Sequence, residues 1–276
     1  MRRAVLIGTA AALVVLGLPA PGYASGTPER RQARSDQDAT AVKSVTVGCR
    51  QGYVFGAGAR IDNGNGSVLL TGILPTATGV TVTARARPGY AVPWSVVAYA
   101  VCDTSVIEPE VVATPGTATA AEADCGEGQA LTGTGFRLRG AAGGGYLDAV
   151  EPDASPARVR VHVGGQPDPS TVVSAIAICH YAADSDRIAA ATPLDGTWPA
   201  VAVAADPGGY LDVYGVGGRV RWPGAAHLTA LVPDPDARRS IVEAEVVSPG
   251  MPVARAAADG DDGDVTAFAT EIGTFH

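Results

Sequence analysis

Three stretches of the chain carry the same ordered landmarks, and this repetition limits the fold more than any other feature. They are Gly56-Ala57-Gly58-Ala59-Arg60, Gly133-Thr134-Gly135-Phe136-Arg137 and Gly215-Val216-Gly217-Gly218-Arg219. A proline follows each arginine at nearly constant distance: Pro75, Pro152 and Pro233. Each copy then closes with a small-and-apolar run, Val97–Cys102, Ser174–Cys179 and Thr266–Glu271. The interval from Arg60 to Cys102 equals that from Arg137 to Cys179. Copy three is longer, and its extra residues are expected in a loop around 256–264. A period of this kind marks supersecondary units that bury their apolar faces against neighbours.

The units read as β. In Val80-Thr81-Val82-Thr83-Ala84-Arg85-Ala86-Arg87 every even position is apolar and every odd one polar, and Arg158–Val163 and Ile241–Val246 alternate in the same way. That period puts one face of an antiparallel sheet in the core and the other in water. Val96–Val101 is apolar on both faces, as a central strand covered on both sides would be. Glycine inside a strand pattern marks a bulge or a close backbone approach. The Gly-x-Gly elements lead into turns rather than helices, which argues against a phosphate cradle. The expected fold is all-β: three tandem small antiparallel sandwich or barrel-like modules over 42–107, 118–182 and 197–276. Residues 108–117 and 183–196, rich in Ala, Thr, Pro and acid, are read as linkers.

Cys49, Cys102, Cys125 and Cys179 are the only cysteines and they open and close the first two copies. Four cysteines allow three pairings; the repeat selects Cys49–Cys102 and Cys125–Cys179. Each bridge would restrict the unfolded chain by roughly 4 kcal/mol. Copy three lacks one, so Trp198, Trp222 and Phe268 are expected to pack partly against copy two.

Arg2 and Arg3 precede an uncharged apolar run, Ala4–Leu18, with Pro19, Pro21 and Gly22 after it. This is the layout of a signal peptide, read as 1–24, and the run is short of the ~20 residues of a spanning helix. Residues 25–41 are polar and without aromatics after Tyr23, and read as a disordered leader. The expectation is a secreted, extracellular protein with no membrane insertion after signal cleavage. The net charge of −8 and the single lysine, Lys43, leave no basic footprint for nucleic acid.

Chemistry is sparse. No Gly-x-Ser-x-Gly or His-Glu-x-x-His occurs, although a Ser-His-Asp triad is free to assemble from distant positions. His162 falls on the wet face of its strand beside Arg158 and Arg160. No catalytic or cofactor-binding residue is assigned. The one metal candidate is a calcium loop at Asp259, Asp261, Asp262 and Asp264; without the closing Glu of an EF-hand, a solvated turn competes with it.

The elements Cys49-x2-Gly52…Gly56-x-Gly58…Cys102 and Cys125-x2-Gly128…Gly133-x-Gly135…Cys179 resemble secreted repeats of high-GC Gram-positive bacteria. Those usually read Cys-Pro-x-Gly, a triple Gly, then an apolar strand ending in Cys. This chain departs from them at Arg50, Gly126, Ala57 and Thr134. The resemblance implies export and modularity. The functional expectation is a non-catalytic extracellular or cell-envelope binding protein, with a secreted hydrolase or hydrolase inhibitor as the alternative.

Overall fold

The computed structural model describes residues 28–105, 107–140, 144–153, 157–181, 185–205, 212–222, 225–246 and 263–272. The signal-peptide reading and most of the long loop of the third copy lie outside these residues.

Each third of the chain supplies six strands. The first has β1 (Glu29–Arg34), β2 (Val42–Gly48), β3 (Tyr53–Asp62), β4 (Val68–Pro75), β5 (Gly79–Ala86) and β6 (Ser95–Asp103). The second has β7 (Glu110–Pro115), β8 (Ala120–Asp124), β9 (Gln129–Arg139), β10 (Gly144–Pro152), β11 (Arg158–Gln166) and β12 (Val172–Tyr181). The third has β13 (Ser185–Pro193), β14 (Ala200–Ala205), β15 (Asp212–Arg221), β16 (Ala226–Asp234), β17 (Arg239–Val246) and β18 (Asp264–Ile272). Alternation became half-burial: β5 and β17 hide every second side chain. The doubly apolar β6 is buried along its whole length.

These strands form three six-stranded antiparallel sheets, and the modules interlock through them. The orders are β1-β6-β3-β16-β17-β14, β7-β12-β9-β4-β5-β2 and β13-β18-β15-β10-β11-β8. In every sheet one segment gives its first, sixth and third strands, and another gives its fourth, fifth and second. The seam is always the third strand of one segment against the fourth of another. Its register pairs each landmark arginine with the neighbour: Arg60 with Ala230, Arg137 with Gly72, Arg219 with Ala149. The inner faces of all three sheets meet in one apolar cluster that includes Trp94, Phe136, Leu147 and Leu228.

The Gly-x-Gly elements serve these seams. A Cβ on the second glycine would meet the neighbouring segment's landmark proline: Gly58 with Pro233 at 2.4 Å, Gly135 with Pro75 at 2.8 Å, Gly217 with Pro152 at 2.5 Å. The first glycines come together around the centre. A Cβ on Gly56 would lie 1.8 Å from the Tyr214 carbonyl oxygen, on Gly133 2.6 Å from that of Phe55, on Gly215 2.4 Å from that of Thr132. Each of the three backbones therefore sits against the next, in a closed cycle. Thr132 Oγ1 donates to the Phe55 carbonyl at 2.7 Å and Thr270 Oγ1 to the Thr132 carbonyl at 2.8 Å.

Two expectations need correction. The leader read as disordered contains β1, which pairs along its length with β6. The stretches read as linkers contain β7 and β13, paired with β12 and β18. All three are outer strands with half-exposed side chains. Their backbones complete a sheet without burying a continuous apolar face, so composition gave no sign of them. Trp198 and Trp222 stack edge-on at 5.6 Å within the third segment and pack against the apolar cluster that all three segments share.

Both disulfides form as the repeat selects, Cys49–Cys102 and Cys125–Cys179, with Cα separations of 5.7 and 5.5 Å. Each ties the end of a segment's second strand to its sixth. Those strands belong to different sheets, so each bridge staples two sheets together.

Candidate functional site

The outer face of β8, β11, β10 and β15 forms a concave surface that gathers charged side chains. Alternation along β11 turns Arg158, Arg160 and His162 outward, and the register opposes Arg158 to Asp124 and Arg160 to Glu122. Arg158 Nε donates to Asp124 Oδ1. Arg160 Nε donates to Glu122 Oε1 at 2.9 Å, and its Nη1 lies 2.9 Å from Asp153 Oδ1. Such partly exposed pairs add little stability. They do hold the side chains in fixed positions.

At the centre of this face β10 carries a bulge between Leu147 and Ala149, opposite His162. The extra residue is Asp148, and the bulge turns its carboxylate onto the outer face. His162 Nδ1–H donates to Asp148 Oδ1 at 2.7 Å and lies 2.9 Å from Oδ2. Burial pushes the Asp148 carboxyl above its usual value, with the His162 hydrogen bond acting against it. Beside this pair Arg219 Nη1 donates to Glu151 Oε1 at 3.0 Å. Glu122, Asp148, Glu151, Arg160, His162 and Arg219 all line a groove of about 380 Å³. None of its lining residues is Ser, Thr, Cys, Tyr or Lys. The groove therefore offers hydrogen-bond donors and acceptors, carboxylates and an imidazole, but no hydroxyl, thiol or amine nucleophile.

The other two segments place different chemistry at the same strand positions. On the first, Thr71 Oγ1 donates to Thr83 Oγ1 at 3.0 Å across the equivalent bulge, and Thr46 and Thr81 stand 2.8 Å apart where Glu122 meets Arg160. On the third, Val203 faces Ile241 in that register. Further along β17, Glu243 of the third segment meets Arg60 at 3.6 Å, and Arg60 meets Asp62 at 3.2 Å, so that face carries charges around an aliphatic pair.

A Ser-His-Asp grouping does assemble elsewhere, but in the wrong order for a triad. Ser105 Oγ lies 3.4 Å from His180 Nε2. Asp103 accepts from the Ser105 backbone N–H at 2.9 Å and from the buried Tyr214 hydroxyl at 2.6 Å. These bonds join the carboxylate to the serine backbone and the tyrosine hydroxyl, whereas a triad needs it on the imidazole Nδ1. Burial lowers the His180 pKa, opposed first by a backbone hydrogen bond to Tyr181. The ring also packs edge-on to Phe55 at 4.9 Å. This cluster is a polar plug beside the central cycle.

Of the calcium candidates, Asp259, Asp261 and Asp262 lie outside the described residues. Asp264 Oδ1 accepts from Thr266 Oγ1 at 2.7 Å. The sequence placed His162 and its arginines on the wet face and missed Asp148, because a bulge breaks the alternation there. No protein-family model and no curated protein matches the sequence.

Proposed function

We propose that this is an exported, non-catalytic binding protein, and that the charged groove on β8, β11, β10 and β15 holds a neutral, hydroxyl-rich ligand such as an envelope glycan. The observation that carries the reading is the Asp148–His162 pair set among the Glu122–Arg160 and Glu151–Arg219 pairs. Glu122 and Glu151 are already neutralised by Arg160 and Arg219, and Asp148 is hydrogen-bonded to His162, so a charged ligand would have to displace a partner at these positions. A hydroxyl needs no displacement: it donates to a carboxylate and accepts from a guanidinium or imidazole N–H. The two disulfides and the apolar N-terminal run support export.

The alternative, a secreted hydrolase, draws on Asp148 and His162 as an acid–base pair activating water. A panel of bacterial envelope and plant polysaccharides separates the two. Saturable binding without cleavage products, weakened at least tenfold by Asp148→Asn and by His162→Gln, is the expected result. Release of shortened oligosaccharides would establish the alternative. No binding to any member of the panel would end the glycan reading.

A further inference from the structure

A second groove, of about 750 Å³, opens beside β2, β4 and β5, on a sheet different from the charged one. Val42, Leu69, Ala86 and Pro88 give it apolar walls, and Val42 is 54% exposed. Tyr90 forms another wall, its ring held by a hydroxyl that donates to the Asn63 carbonyl at 2.5 Å. Arg85 and Arg87 also line the groove, and among the described residues no Asp or Glu does. Glu245, whose charge acts on Tyr90, accepts from the Gly66 backbone N–H at 2.6 Å.

Arg87 is the unusual member. Arg60, Arg158, Arg160 and Arg219 each meet an Asp or Glu within 3.2 Å. The half-buried Arg87 guanidinium has no hydrogen-bond or ion-pair partner among the described residues. Its charged surroundings are the Tyr146 phenol, which burial keeps protonated, and the buried His227, which burial keeps neutral. Burial accordingly pushes the guanidinium below its usual value. A partly desolvated cation without a counter-ion is costly, and an incoming anion relieves that cost.

We propose that this groove binds an anionic amphiphile, a carboxylate on an apolar body, with the carboxylate on Arg87 and the apolar part against Val42, Leu69 and Pro88. The chain's net charge of −8 makes a cationic, carboxylate-free groove an exception on its surface, and complementarity selects an anion there. The groove's volume is that of a small-molecule site.

Calorimetric titration of the whole protein with octanoate and with octanol tests this. Octanoate is expected to bind at least tenfold more tightly than octanol. Arg87→Gln should abolish that difference while leaving octanol binding unchanged and the urea midpoint no lower than the parent's. Val42→Asp should weaken both ligands. Asp148→Asn, which removes one carboxylate of the other groove, should leave octanoate binding unchanged, so failure of the glycan reading would not imitate failure here. Equal affinity for octanoate and octanol, an Arg87→Gln protein that still prefers octanoate, or no binding of octanoate at millimolar concentration would each overturn the proposal.

Discussion

His162 Nδ1 stands 2.7 Å from Asp148 Oδ1 across a strand bulge at which the first segment joins Thr71 to Thr83 at 3.0 Å. The backbone is the same in the two places and the chemistry differs. A double variant, Asp148→Thr with His162→Thr, should therefore fold as the parent does, with a stability change within about 1 kcal/mol because the His162 side chain is 56% exposed. It should lose the glycan affinity expected of the groove. A large fall in the urea midpoint would show that the pair holds the sheet together and would remove the reason to assign it a ligand.

His227 makes stability depend on pH. It is buried, its Nε2 donates to the Val68 carbonyl at 3.1 Å, and burial lowers its pKa from 6.5 to about 4. As pH falls below 6.5 the unfolded chain takes up a proton that the folded one refuses until about pH 4. The stability His227 contributes is thus fully present above 6.5 and is lost on the way down to about 4, a change of roughly 3 kcal/mol. Urea midpoints at pH 7.5 and 4.5 should show the fall, and His227→Gln, which keeps a donor to Val68, should flatten much of it. His180 shifts in the same direction, so some slope should remain. Identical slopes in parent and variant would refute the assignment.

The central glycines should be the least replaceable. A Cβ on Gly56 would lie 1.8 Å from the Tyr214 carbonyl oxygen, whereas one on Gly128 meets nothing within 4 Å and carries only the strain of φ +74°. Gly56→Ala should cost more than about 3 kcal/mol. Gly128→Ala should cost about 1 kcal/mol. Chemical denaturation of the two variants checks the order, and equal costs would contradict the close cycle of backbones.

Unfolding should be one transition. The third segment expressed alone leaves β15 without β10 and β16 without β3. It should therefore stay unfolded by circular dichroism, and so should either other segment alone, bridge or no bridge. In the whole protein the calorimetric and van't Hoff enthalpies should agree. Three resolved transitions would mean that the segments are self-sufficient.

What was readable in the sequence was what side-chain pattern controls. Val80–Ala86 declared its two faces, Val96–Val101 its double burial, and the cysteines their pairing. The outer strands β1, β7 and β13 were illegible because they join a sheet through backbone hydrogen bonds and bury little. The exchange of strands between segments was also hidden. Gly58 and Pro233 are far apart in the chain, and only contact shows that one exists to admit the other. Half of the candidate site was visible: Arg158, Arg160 and His162 follow the alternation. Asp148 breaks it, and a bulge has no periodic signature.

The seam that joins the third strand of one segment to the fourth of another is a head-to-tail contact that closes after three steps. One segment on its own would present one unmet edge of each kind, and three separate identical chains would satisfy them as a ring. Such a ring would depend on concentration, and its three flanks would be copies of one another. Carrying all three in a single polypeptide removes both restrictions. Assembly becomes intramolecular, and each flank is free to change its side chains alone, as the threonine pairs of one, the charged pairs of another and the aliphatic pair of the third show.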